Sequence, residues 1–146
     1  MYASTRVGPT GRVLAVDLQE ITTPLGANVT VLRGDALAAE PPEVSAAGPF
    51  DVVLSDMAPA TTGSKPSDGA RSAELFGRAL DIAIRHGKPG ASFVGKIFMS
   101  EDFPPARARV KSLFRECRVI KPEGTRSNST EVFVVGLGLE RQKPTA

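Results

Sequence analysis

One cysteine and one histidine are all that 146 residues contain of either type. A single cysteine excludes an intrachain disulfide framework and a multi-cysteine zinc site. With one histidine and scattered carboxylates, no metal site is expected. Cys117 lies between a helical and a strand pattern, the setting of a buried structural thiol. No apolar run approaches the roughly 20 residues of a membrane-spanning helix. Met1 to Gly11 holds no apolar stretch of the kind a secretory signal needs, so a cytoplasmic protein is expected. Neither sign of charge dominates: 18 Lys and Arg face 16 Asp and Glu, leaving a net +2. That balance permits a polyanionic partner without demanding one. Internal repeats and a domain linker are lacking, so residues 1–146 read as a single domain, long enough to bury a core. An apolar share of 41% argues against disorder.

What is present is an alternation of short apolar runs with helical patterns. Arg12–Leu18 is almost continuously apolar, which suits a strand buried on both faces. Asn28–Leu32, Phe50–Ser55, Ser92–Ile97, Arg118–Ile120 and Glu131–Leu137 read as further strands, the last with Thr125–Thr130 before it as a hairpin-like return. Ala38–Pro49 suggests a short helix and a loop. Asp68 is placed to cap a helix over about Arg71–His86, with Leu75, Ala79, Ile82 and Ala83 on one face and Gly87, Pro89 and Gly90 as the stop. A second helix follows Pro104 and Pro105, its stripe being Val110, Leu113, Phe114 and Cys117. His86, near a helix C-terminus, suits the dipole and reads as structural. The tail after Glu140 reads as frayed. Such alternation predicts an open, mostly parallel α/β sheet, whose ligands bind outside the carboxyl ends of the strands.

Asp17, Asp35, Asp56 and Lys96 all fall at such ends, and Glu131 opens the last strand. A carboxylate in the place of Asp17 takes a ribose diol, because it accepts two hydrogen bonds. Asp35 suits an adenine amino group or, equally, the start of a helix. Asp56 precedes Met57-Ala58-Pro59 and a long Ala58–Gly69 loop of the kind that carries function. Lys96 ends an apolar strand, where desolvation lowers a lysine pKa and favours a base; the bland alternative is a snorkelling side chain. Together Asp56, Lys96 and Glu131 suggest proton removal from a weak acid. Arg107, Arg109, Lys111 and Arg115 read as a solvated helix face. Lys65, Arg71, Lys121 and Arg126 flank the site edge and are better candidates for phosphate contacts.

From Ser55-Asp56-Met57-Ala58-Pro59 and Thr62-Gly63 the chain resembles the FtsJ (RrmJ) family of S-adenosylmethionine-dependent ribosomal RNA ribose 2′-O-methyltransferases. The resemblance runs on through Pro89-Gly90-Ala91-Ser92-Phe93-Val94-Gly95-Lys96-Ile97-Phe98, Ser112-Leu113-Phe114, Lys121-Pro122 and Ser127-Asn128-Ser129-Thr130-Glu131-Val132-Phe133-Val134-Val135. It covers nearly all of Gly11 to Gly138, with order and spacing matching together. It implies a Rossmann-like class I methyltransferase sheet with helices on both faces. Of the family's Lys-Asp-Lys-Glu tetrad it places the Asp at Asp56, the second Lys at Lys96 and the Glu at Glu131. It implies that Lys96 helps deprotonate, or orients, a ribose 2′-hydroxyl, with Asp56 and Glu131 tuning the lysine. It makes Asp17, Asp35 and Asp56 the cofactor-binding candidates, S-adenosylmethionine the cofactor, and RNA, of the ribosome or its large subunit, the partner. A uridine of large-subunit rRNA is the implied target.

Two family features have no counterpart. The Gly-x-x-Pro-Gly-Gly loop that holds the cofactor's methionine part is absent, as is the N-terminal helix with the first tetrad Lys. Met1–Val7 resembles the end of the helix that follows that loop. The expectation is an N-terminally shortened methyltransferase without its first strand, whose two neighbouring strands would be left unpaired. Two alternatives stand beside it. One is an inactive Rossmann-like fragment that binds RNA or a protein. The other is a methyltransferase of base nitrogens, against which Met57-Ala58-Pro59 and Lys96 argue.

Overall fold

The computed structural model describes residues 2–122 and 130–140. Most of the expected return before Glu131, Arg126 as a phosphate contact, and the tail beyond Glu140 lie outside them. The chain divides into two compact units, 1–47 and 48–146.

In the first unit, helix α1 (Tyr2–Val7) leads to two strands, β1 (Val13–Asp17) and β2 (Val29–Arg33), and a short helix α2 (Pro42–Ala47). Strands β1 and β2 form a parallel pair in register from Val13 opposite Val29 to Asp17 opposite Arg33. Gly8 ends α1 with a φ of +74°, a conformation that costs glycine nothing. The Asn28 amide then donates to the carbonyls of Ser4 and Gly8, both at 3.0 Å, so one side chain closes the helix end onto the start of β2.

The second unit contains β3 (Phe50–Ser55), α3 (Lys65–His86), β4 (Gly87–Phe98), α4 (Phe103–Leu113), β5 (Phe114–Ile120) and β6 (Glu131–Leu139). Its sheet runs in the order β3-β4-β6-β5. β3 and β4 are parallel, with α3 as the crossover, while β6 is antiparallel to both β4 and β5. The pairing is therefore mixed rather than mostly parallel. A helical crossover returns the chain to the same end of the sheet and makes β3 and β4 parallel, whereas β6 enters between β4 and β5 and runs against both.

The buried positions of α3 include Ser72, Phe76, Ala79, Leu80 and Ala83, a helical stripe facing the sheet. Phe93 and Ile97 of β4 and Val132 and Val134 of β6 are buried with it, as are Val110 and Leu113 of α4. The Phe76 and Phe93 rings meet edge to face, with centroids 5.4 Å apart. Among the described residues, every buried apolar side chain except Val44 belongs to this unit.

Three boundaries differ from expectation. α3 begins at Lys65, six residues before Arg71, because Pro66 suits a first turn, and Asp68 lies inside the helix rather than at its cap. β4 starts at Gly87 with no loop. The Pro89-Gly90 break appears inside it as a register shift between the Phe50–Gly87 and Val52–Ser92 pairs, with Gly90 at a φ of +86°. Phe114 and Cys117 belong to β5, not α4. The stripe fits either period, and the decision falls to packing: the Phe114 ring fills the space over Gly136 of β6, 2.7 Å from where a Cβ would stand.

Among the described residues, β1 and β2 pair only with each other, and β3 borders only β4. On β3, Val52 is 51% and Leu54 65% exposed.

Candidate active site

Strand register assembles the site. Ser55, the last residue of β3, pairs with Gly95 of β4, so Asp56 emerges beside Lys96. In β4 the inward positions are Ala91, Phe93, Gly95 and Ile97, and period 2 turns Lys96 to the other face. Lys96 pairs across β6 with Phe133, and Phe98 with Glu131, so Glu131 is the diagonal neighbour of Lys96, within reach of long side chains.

The result is an ammonium held between two carboxylates. Lys96 Nζ is 2.7 Å from Asp56 Oδ1 and 3.6 Å from Glu131 Oε2. It lies 5.8 Å from the centroid of the Phe133 ring, a cation–π distance. Side-chain exposure grades the three: 16% for Lys96, 38% for Glu131 and 76% for Asp56.

This geometry corrects the expectation of a desolvated, basic lysine. The hydrogen bond to Asp56 raises the Lys96 pKa above its ordinary value, burial opposes it, and the charges of Asp56 and Glu131 add to the rise. Two anions close to one cation outweigh the partial loss of water, so Lys96 remains an ammonium.

The loop leaving Asp56 is fastened from α3. The Asp68 carboxylate accepts from the Thr62 backbone N–H at 3.0 and 3.2 Å and from the Thr62 hydroxyl at 2.9 Å. The Thr62 N–H bond, with further donors and the nearby Arg71 cation, holds the Asp68 carboxyl below its ordinary pKa, against the opposing effect of burial. Neither Phe133 nor the Asp68–Thr62 contact is among the sequence expectations. Phe133 was within reach, since it lies two residues from Glu131 and so on the same strand face.

Asp17 and Asp35 belong to the first unit, at and just beyond the carboxyl ends of β1 and β2. Both are exposed. Asp17 Oδ1 accepts from the Gln19 N–H and Asp35 Oδ1 from the Leu37 N–H, each at 2.9 Å. These turns fix the carboxylates at strand ends, and acceptors so placed suit ribose hydroxyls and an amino group. The pair thus fits a nucleoside-bearing cofactor, although for Asp35 the turn it caps is also its structural duty. Among the basic candidates, Lys65 and Arg71 are exposed on α3, and Lys121 is exposed beyond β5. Arg109 is engaged with Asp81 at 2.6 Å.

The chain is 55% identical over 137 residues to ribosomal RNA large subunit methyltransferase E of Sorangium cellulosum, covering 94% of this chain and 65% of that protein. It is 46% identical over 144 residues to the protein of the same name from Myxococcus xanthus, covering 96% and 66%. The chain thus spans about two thirds of the length of these curated relatives. In fold it is similar to a structure described as a ribosomal RNA methyltransferase of Plasmodium falciparum, with a TM-score of 0.74 at 18% identity, covering 90% of this chain and 74% of that one. It is also similar to human methyltransferase-like protein 13, solved in complex with SAH, with a TM-score of 0.59 at 14% identity, covering 97% and 68%. The FtsJ-like methyltransferase family matches residues 1–139. The chain belongs to the FtsJ-like methyltransferase family.

Proposed function

We propose that the chain serves S-adenosylmethionine-dependent methylation of a ribose 2′-hydroxyl in RNA, with a uridine of large-subunit rRNA as the target and the cytoplasm as its place. The observation that carries this reading is the Lys96 ammonium between Asp56 and Glu131 in a chain of this family.

When bound, the cofactor supplies an electrophilic methyl group on a positively charged sulfur. Asp17 and Asp35 are the candidate acceptors for its ribose hydroxyls and adenine amino group, and Asp56 is a third cofactor-binding candidate. Lys96 donates a hydrogen bond to the ribose 2′-oxygen and holds it in line for attack, a positioning gain rather than a proton abstraction. An alcohol becomes strongly acidic as its oxygen bonds to carbon, so its proton leaves late. Lys96 is already protonated and cannot take it. The exposed Asp56 carboxylate accepts it and passes it to water. Glu131 and the Phe133 ring hold Lys96 in place. Exposed Lys65, Arg71 and Lys121 are the candidates for RNA phosphates.

The test is transfer of a labelled methyl group from S-adenosylmethionine to large-subunit rRNA, followed by nucleoside analysis. Label on a ribose is expected, as is its loss in Lys96→Ala with cofactor binding nearly intact. Label on a base, or unchanged turnover in Lys96→Ala, overturns the assignment.

A further inference from the structure

Three residues that helices disfavour sit together in the N-terminal half of α3: Asp68, Gly69 and Ser72. Asp and Ser side chains compete with helical hydrogen bonds, and glycine weakens a helix interior. All three are buried, Asp68 to 7% and Ser72 to 0% exposure. A buried polar group in a helix is retained for its partners, and here the partners lie on both sides of the site.

Asp68 grips Thr62, in the loop that leaves Asp56. Ser72 Oγ accepts from the Phe98 N–H at 2.9 Å. The β3–β4 ladder ends at Ser55 opposite Gly95, so past that point β4 has no strand on this side among the described residues, and the Ser72 hydroxyl supplies an acceptor there. Phe98 lies two residues beyond Lys96 and is paired with Glu131. The following N–H, of Met99, donates to the Thr130 carbonyl at 2.7 Å. Gly69 lets the helix come this close: a Cβ there would meet Ser100 Cβ at 2.7 Å.

We infer that Asp68 and Ser72 are positioning residues, which fix from one end of α3 both the loop leaving Asp56 and the strand end carrying Lys96, and so set the spacing of the two. The inference rests on the reading of Asp56, Lys96 and Glu131 as the methyl-transfer site. Neither residue needs to touch the reacting atoms, since each acts through the backbone it holds. A helix end is a rigid lever, so releasing either grip lets one charged group drift relative to the other. Catalysis by alignment is sensitive to displacements of about 1 Å.

The experiment compares the chain with Asp68→Ala, Asp68→Asn and Ser72→Ala. Three readouts are taken: amide exchange at Thr62 and Phe98, the NMR signal of the Lys96 ammonium, and the kcat and KM of methyl transfer. Loosening the grips is expected to speed exchange at Thr62 in the Asp68 variants and at Phe98 in Ser72→Ala. The Lys96 signal should broaden in the alanine variants, and kcat should fall about tenfold to a hundredfold with cofactor KM unchanged. Asp68→Asn keeps an acceptor oxygen and should fall between the alanine variant and the parent. Should either alanine variant fail to fold, Asp68→Asn carries the test. Faster amide exchange with an unchanged Lys96 signal and unchanged kcat overturns the inference, since the grips would then serve the fold alone. If the parent chain transfers no methyl group, the functional reading fails, and the Lys96 signal still decides this one.

Discussion

Lys96 sits where two opposing effects meet. Partial burial favours the neutral amine, while the Asp56 hydrogen bond and two carboxylates favour the ammonium, and the second set wins. The raised pKa has a definite sign in stability. From about pH 6 to about pH 10, the latter near the unfolded lysine value, the ion pair stabilises the fold in full, and that contribution fades as pH rises through the folded value. Lys96→Met should therefore cost the same stability throughout pH 6 to 9, with the difference from the parent shrinking only above about pH 10. Urea unfolding across that range measures it. A titration of the Lys96 ammonium by NMR with a midpoint below about pH 9 would sink the assignment of a permanent cation. No reading of the residues alone could settle this sign, because desolvation and ion pairing are both available to a lysine at a strand end. The choice depends on distances of 2.7 and 3.6 Å that strand register creates.

Elements meet through glycines as well as through apolar side chains. A Cβ on Gly136 of β6 would stand 2.7 Å from the Phe114 ring, and one on Gly95 of β4 would stand 2.7 Å from the rings of Phe76 and Phe93. These glycines leave room for bulky rings against the sheet under α3 and α4. Gly136→Ala should destabilise by about 1–3 kcal/mol through overpacking. Combining it with Phe114→Leu should cost less than the sum of the two single changes, because the smaller side chain leaves room for the methyl group. Denaturant unfolding of the parent, the two single variants and the double variant reads the coupling. Strict additivity would mean that the ring and the glycine do not contend for the same space. Buried Phe93 and Ile97 flank Gly95 at period 2 in β4, and buried Val132 and Val134 lead to Gly136 in β6. That alternation was legible in the sequence, but which ring fills each gap was not. The same limit misplaced Phe114 and Cys117, whose spacing satisfies helix and strand alike until the β6 surface chooses.

At the scale of the whole chain, burial is unevenly shared. The second unit holds a four-stranded sheet with two helices, while among the described residues the first has a two-stranded sheet and one buried apolar side chain, Val44. Two strands alone are marginal in water. The amide of Val31 in β2 should thus exchange through low-energy openings near the fraying limit, and those of Phe93 and Val134 only through opening of the whole second unit. Equal protection in native-state hydrogen exchange would show that the two units open together. Much of this organisation could be read beforehand. Short β-branched runs separated by helical patterns determined the α/β class, the carboxyl-end location of Asp17, Asp35, Asp56 and Lys96, and, with motif order, the family. Such features are local, written in period and spacing within a few residues of each other. Only the tertiary structure decided the mixed strand order, the insertion of β6 that brings Glu131 and Phe133 to Lys96, the charge state of that lysine, and the grip of Asp68 and Ser72 on the chain around it. Ser72 meets Phe98 across 26 positions of sequence, and Lys96 meets both of its carboxylates across still longer stretches. At such separations the free energy of packing and pairing, not local preference, selects the register.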